Sequence, residues 1–132
     1  MSRTFLVATD SDHVFTQVDA AVGGTADIAR VTAGQDVRPA VKELEPDLVV
    51  ADMQIGSMGG VATCLDLRLE EGAGRLPESR ILLLLDRPAD TFLAERSGAD
   101  GWLIKPIDPQ RLRRAVRTLL AGGAFTESAA LA

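Results

Sequence analysis

Apolar residues in this chain gather into short continuous runs, separated by stretches where they recur every three or four positions. The runs are Phe5-Leu6-Val7-Ala8-Thr9, Leu48-Val49-Val50-Ala51-Asp52, Arg80-Ile81-Leu82-Leu83-Leu84-Leu85-Asp86 and Gly101-Trp102-Leu103-Ile104-Lys105. Each is too short for a core helix and apolar on consecutive positions, which predicts a strand buried on both faces. Ala26 to Thr32 alternates instead and reads as an edge-type strand anchored by Ile28 and Val31. The intervening stretches have helical spacing. Val14, Val18 and Val22 share one face and stop at Gly23-Gly24; Val37, Ala40, Val41 and Leu44 form a short helix with Asp36 as candidate cap and Pro39 confined to its first turn. Val61, Leu65 and Leu69 mark a helix from near Gly60 to Gly72-Ala73-Gly74, and Ala89 to Ser97 a short one with Phe92 and Leu93 inward. Asp108-Pro109 opens the last helix as an N-cap and first-turn proline; Leu112, Val116 and Leu119 face the core, and Arg111, Arg113, Arg114 and Arg117 face water.

Strand and helix thus alternate five times with no linker or internal repeat, which predicts a single α/β domain: a doubly wound parallel sheet with helices on both faces. The pattern alone leaves the strand order open. The domain is expected over residues 1–122, and the small, weakly polar residues 123–132 are expected to form a loose tail.

A net charge of −5 and a pI near 4.8 argue against non-specific nucleic-acid binding and against attraction to an acidic membrane surface. The lone cysteine, Cys64, excludes an intramolecular disulfide and a cysteine-based metal site, and is expected to be a buried filler. The start lacks a signal peptide's apolar core and no run is long enough to span a membrane, so a cytoplasmic protein is expected.

In such a sheet the carboxyl ends of the strands share one edge, where open α/β sheets place their chemistry. Asp10 follows the first strand, Asp52 ends the third, Asp86 the fourth and Lys105 the fifth; the glycine-rich stretch Gln54-Ile55-Gly56-Ser57-Met58-Gly59-Gly60 follows Asp52. Asp52 read alone is a nucleophile, a metal ligand or a helix cap. Two carboxylates brought together repel unless a cation compensates. Magnesium, a hard ion taking oxygen ligands and keeping some waters, suits such a pair, and a fixed lysine adds positive charge for an incoming dianion. Nucleophile, charge neutralisation and positioning together meet the demands of phosphoryl transfer onto a carboxylate. Against this stand plainer readings: each aspartate a turn former, Lys105 a solvated strand end, the helix arginines a solvated face or a contact for an acidic partner. His13 has no metal-binding companion, no GxGxxG follows the first strand, and no Ser-His-Asp arrangement is present.

Over about residues 4–121 the chain resembles the receiver domain of two-component response regulators. The resemblance rests on Pro46-Asp47-Leu48-Val49-Val50-Ala51-Asp52, the Met58-Gly59-Gly60 turn, Ser97-Gly98-Ala99-Asp100-Gly101-Trp102 and Leu103-Ile104-Lys105-Pro106, in that order and spacing. It implies a flavodoxin-like five-stranded sheet in order 2-1-3-4-5, with Asp52 as phosphoacceptor for a histidine kinase or phosphotransfer protein. It further implies Lys105 contacting the phosphoryl group, a cis peptide before Pro106, magnesium held by Asp10, Asp52 and the backbone carbonyl of Gln54, and Trp102 in the aromatic switch position. Two positions depart from the pattern. Where the family carries adjacent acids after strand one, this chain has Thr9 and Asp10, or Asp10 and Ser11 with a one-residue slip. Where the family ends strand four in Ser or Thr, it has Leu85 or Asp86, neither able to donate a hydrogen bond at neutral pH.

Three functions fit these residues. A stand-alone, non-enzymatic receiver would signal through the fourth-helix, fifth-strand and fifth-helix face (Phe92, Trp102, the arginines) to a downstream protein partner, with a homodimer through the same face. A receiver-fold interaction module would act without phosphate. A small magnesium-dependent phosphotransfer or hydrolytic enzyme would need a further catalytic base, which the sequence does not offer. No DNA-binding module follows Gly122, so output is expected from another polypeptide, without direct contact to nucleic acid or membrane.

Overall fold

The computed structural model describes residues 3–127. Five parallel strands, β1 (Thr4–Ala8), β2 (Asp27–Val31), β3 (Leu48–Asp52), β4 (Arg80–Leu85) and β5 (Gly101–Ile104), lie in the order β2-β1-β3-β4-β5. Five helices alternate with them: α1 (Asp12–Val22), α2 (Val37–Leu44), α3 (Gly60–Gly72), α4 (Thr91–Ser97) and α5 (Pro109–Leu120). This is the doubly wound sheet that the alternation predicts, in the order that the resemblance implies. Among the described residues no helix is long and apolar enough to cross a membrane.

Every residue of β3 is buried, because the strand pairs with β1 on one side and β4 on the other and is covered on both faces. Alternate residues serve opposite faces. Phe5, Val7, Leu48, Val50, Leu82 and Leu84 pack with Val14 and Val18 of α1 and with Leu112, Val116 and Leu119 of α5. Leu6, Ala8, Val49 and Ile81 face Val37 and Val41 of α2 and Cys64 and Leu67 of α3. Cys64 is fully buried, and burial pushes its thiol up to about 11.

Three helix details differ from the sequence reading. The buried face of α3 is Thr63, Cys64, Leu67 and Glu70, so Leu65 and Leu69 point outward. In α4 the inward residues are Thr91, Ala94 and Ser97, whereas Phe92 and Leu93 are exposed and Phe92 carries the Arg96 guanidinium 3.7 Å above its ring. The buried face of α4 is wholly small or polar, and in α3 Leu67 is buried beside Thr63, Cys64 and Glu70, so hydrophobicity alone gave the wrong rotation. Asp36 makes no side-chain cap to α2; it ends a 3₁₀ turn, Gly34–Asp36, that leads into the helix.

At the amino-terminal edge of the sheet Asp100, in the loop before β5, ties α3 to the start of β4. It accepts from Arg68 Nη2 at 2.7 Å, Arg80 Nη1 at 3.0 Å and the Ile81 backbone N–H at 2.8 Å. Arg68 also donates to Gly98 O and Ser79 O. Replacing Asp100 by Ala leaves two partly buried guanidinium groups and one strand N–H short of an acceptor. It is expected to destabilise the fold by about 2–4 kcal/mol and to lower Tm by roughly 10 °C. A melting curve unchanged from that of the parent would show that water replaces these bonds at no loss.

The tail is not loose as far as it is described. After α5, Gly122 takes a left-handed conformation (φ 92°) and the chain turns back, so that Phe125 pairs in parallel with Gly101 of β5. Polar edge N–H groups of β5 are met by this segment, which is the physical reason for its order. Residues 128–132, the rest of the expected tail, lie outside the described residues.

Candidate functional site

The carboxyl edge of the sheet gathers side chains from four strand ends, those of β1, β3, β4 and β5. Asp52 closes β3 and is only 2% exposed. Its Oδ2 accepts the Thr9 hydroxyl at 2.7 Å; its Oδ1 accepts the Gln54 N–H at 3.1 Å and Lys105 Nζ at 2.6 Å. The same Lys105 ammonium donates to Asp86 Oδ1 at 2.8 Å. One cation thus bridges two carboxylates, from the ends of β3 and β4. Burial lowers the affinity of the Lys105 amine for its proton, but the hydrogen bonds and charges of Asp52 and Asp86 outweigh it and raise the pKa above the ordinary 10.5. The ammonium therefore stays charged throughout the physiological range.

Local sequence explains how each group is held. Thr9 follows β1 directly, its N–H bonded to Val31 O at 3.0 Å, and its hydroxyl also accepts the Ser11 N–H at 3.1 Å. Ser11 caps α1 through Val14 N. Thr9 and Asp10 are the two residues that directly follow β1. Asp10 itself is exposed; its Oδ2 accepts the Gly56 N–H at 3.1 Å, which moors the loop after β3. That loop turns sharply through Ser57 (φ 75°) and Gly59 (φ 77°). Gly60 then starts α3 so close to the strand that a Cβ there would lie 2.7 Å from Asp52 O, a distance no side chain tolerates. Asp86 sits in a loop shaped by the buried Asp90, whose Oδ2 accepts the N–H groups of Asp86 and Arg87. Lys105 is fixed by its N–H bond to Leu85 O and precedes a cis peptide bond to Pro106.

Of the residues singled out in the sequence, Asp52 and Lys105 meet directly, Gln54 reaches Asp52 through its backbone N–H rather than the carbonyl expected of it, and Asp10 holds the adjoining loop. Leu85 does not belong with them: its side chain is fully buried with Ala51, Leu83 and Ala94, and presents no surface. The neighbouring Asp86 supplies the polar group at that strand end. Trp102 is half-buried on β5, its indole N–H bonded to Glu127 O at 2.9 Å, and Pro106 is exposed. Sequence reasoning missed two contacts. Thr9 was read as a missing acid, although a hydroxyl beside a carboxylate is a ready donor. Glu127, the only acid after Gly122, was passed over as part of the tail.

The oxygen donors here suit magnesium better than any softer ion. Asp10, Asp52 and the Gln54 carbonyl would hold it. Among the described residues no group of three or more His, Cys, Asp or Glu is arranged for a metal ion, so water would complete most of the coordination sphere.

The family profile described as the response regulator receiver domain matches residues 5–117. The DNA-binding response regulator MtrA of Mycolicibacterium smegmatis is 31% identical over 121 residues, which are 91% of this chain and 51% of that protein. The nitrate/nitrite response regulator protein NarL of Escherichia coli is 28% identical over 122 residues, 90% of this chain and 55% of that protein. The chain therefore spans about half the length of the curated relatives it matches. Among solved structures, the chemotaxis response regulator CheY4 of Vibrio cholerae superposes with a TM-score of 0.78 at 19% identity, covering 90% of this chain and 99% of that one. DrrB of Thermotoga maritima, an OmpR/PhoB homolog, gives 0.76 at 20% identity, covering 94% and 55%. A buried aspartate ending β3, a lysine ending β5 and a sheet in the order 2-1-3-4-5 agree with that match, and the chain belongs to the response regulator receiver domain family.

Proposed function

We propose that this domain is a two-component signalling receiver that accepts a phosphoryl group on Asp52 from a histidine kinase or phosphotransfer protein and signals through protein contacts. The observation that carries the reading is the Lys105 ammonium 2.6 Å from a buried aspartate carboxylate at a strand tip. An Asp52 oxygen attacks phosphorus, the bond from phosphorus to the donor's imidazole nitrogen breaks, and its electron pair leaves with that nitrogen. The product is an acyl phosphate. Lys105, freed from Asp86, balances the charge that develops on the phosphoryl oxygens. Bound magnesium would supply further neutralisation and orientation of those oxygens.

A second reading, a module that binds partners without phosphate, has a specific observation behind it. Both oxygens of Asp52 already have donors, and Asp86 holds Lys105 where a phosphoryl oxygen would compete for it. The DNA-binding description of the MtrA relatives is theirs; the stretch shared with them is about half of their length.

The test is intact-mass measurement with acetyl phosphate and magnesium, alongside Trp102 fluorescence. The parent is expected to gain one phosphoryl group and shift its emission, and Asp52→Asn to do neither. An unmodified parent under saturating phosphodonor would favour the phosphate-independent module. Sedimentation at high micromolar concentration tests the homodimer, which a purely monomeric profile would remove.

A further inference from the structure

The outer edge of β5 is not bare, and what covers it has the features of a bound peptide. Phe125 O accepts the Trp102 N–H at 2.9 Å, in parallel register with Gly101. Two residues on, the pairing changes character. The next outward N–H of the strand, that of Ile104, is met at 2.6 Å by the Glu127 carboxylate rather than by backbone. Arg111 of α5 lies across the same carboxylate: its Nη2 donates to Oε1 at 3.3 Å, and its Nε sits 2.8 Å from Oε2, off the hydrogen-bonding direction. Glu127 O takes the Trp102 indole N–H at 2.9 Å. Phe125 packs against the main core, with the Arg114 guanidinium 5.9 Å from its ring centre.

The receiving surface is shaped for this. At Gly101 a Cβ would lie 2.4 Å from Phe125 O, so the backbone passes where any other residue would carry a side chain. Arg80, from the neighbouring strand, donates to Gly123 O as the segment enters. An edge strand offers unpaired N–H groups to any extended chain; backbone pairing gives affinity, and side-chain pockets give selectivity. Here the pocket is a cation plus a strand N–H, which together read one carboxylate two residues beyond the paired position.

We propose that the β5 edge, with Gly101, Trp102, Ile104 and Arg111, is a binding groove for an extended segment bearing an acidic side chain, filled in cis by this chain's own Phe125–Glu127. A partner using this edge has to displace that segment. The proposal goes beyond phosphoryl transfer at Asp52 and does not depend on it.

Hydrogen exchange on the full chain tests it without any phosphodonor. In Glu127→Ala the amide protons of Trp102 and Ile104 and the Trp102 indole proton are expected to lose protection by about 10-fold or more, while Val50 and Leu83 keep theirs. A capped peptide with the sequence of residues 124–128 should restore that protection saturably in Glu127→Ala and leave the parent unchanged, since its groove is already filled. Gly101→Ala, which blocks the groove and leaves the segment intact, should lose the same protection and not respond to peptide. Unchanged protection in either variant, or no peptide response in Glu127→Ala, would overturn the groove. Protection in the parent that rises with protein concentration would assign the segment to a second copy and overturn the cis arrangement.

Discussion

Lys105→Met is expected to lower the unfolding free energy by about 3 kcal/mol, because it leaves the buried Asp52 carboxylate facing Asp86 with no cation between them. The Thr9 hydroxyl and the Gln54 N–H would remain on Asp52, which is why the loss stays moderate for a buried charge. Urea denaturation measures it, and Asp52→Asn in the same background should recover part of the loss, since the two positions are in direct contact. The pH dependence has a definite sign. Lys105 has a raised pKa in the folded state, so its stabilising contribution is complete below the ordinary 10.5 and disappears as pH rises through the folded value. The parent should therefore show an alkaline loss of stability above about pH 10.5, set by the lysine reference value, that Lys105→Met lacks. Equal urea midpoints for parent and Lys105→Met at neutral pH would mean that the bridge carries no net energy.

The second large effect is expected from Thr9→Asp. Thr9 is fully buried and its hydroxyl donates to Asp52. A carboxylate there removes the donor and adds a like charge, worth about 4 kcal/mol of repulsion at 4 Å and an effective dielectric of 20. Without a divalent ion the variant should unfold readily. Magnesium at 100 times its dissociation constant would return about 2.7 kcal/mol. The stability of Thr9→Asp should accordingly depend on magnesium far more steeply than that of the parent. Parallel responses in the two proteins would show that position 9 lies outside the ion's reach and that the acid pair was misplaced.

The fold was legible because four strands are continuous apolar runs and the helices between them have clear punctuation. The Asp108-Pro109 start of α5 was read from sequence, and Asp108 does accept the Arg111 N–H at 2.9 Å. Helix rotation was less legible. Phe92 and Leu93 are the largest apolar residues of α4, yet the helix buries Thr91, Ala94 and Ser97 instead. Asp52 and Lys105 could be singled out because strand tips converge in this topology. The part of Asp86 could not be separated from that of Leu85, as one residue of register decides which side chain enters the core and which meets Lys105. The docked tail escaped notice for a different reason. Its composition is weakly polar, and the signal was a single aromatic residue two positions before a single acid, meaningful only beside an edge strand.

Cys64 carries a practical consequence. Buried, and with its thiol pushed up to about 11, it stays protonated at neutral pH. Folded protein should therefore be inert to thiol reagents and mild oxidants, and modification should proceed only when α3 lifts from the sheet. The rate of labelling in the native state then becomes a clock for that opening. Run with and without a phosphodonor, it would report whether events at the carboxyl edge of the sheet loosen or tighten the helix behind Asp52, with no engineered probe in the molecule.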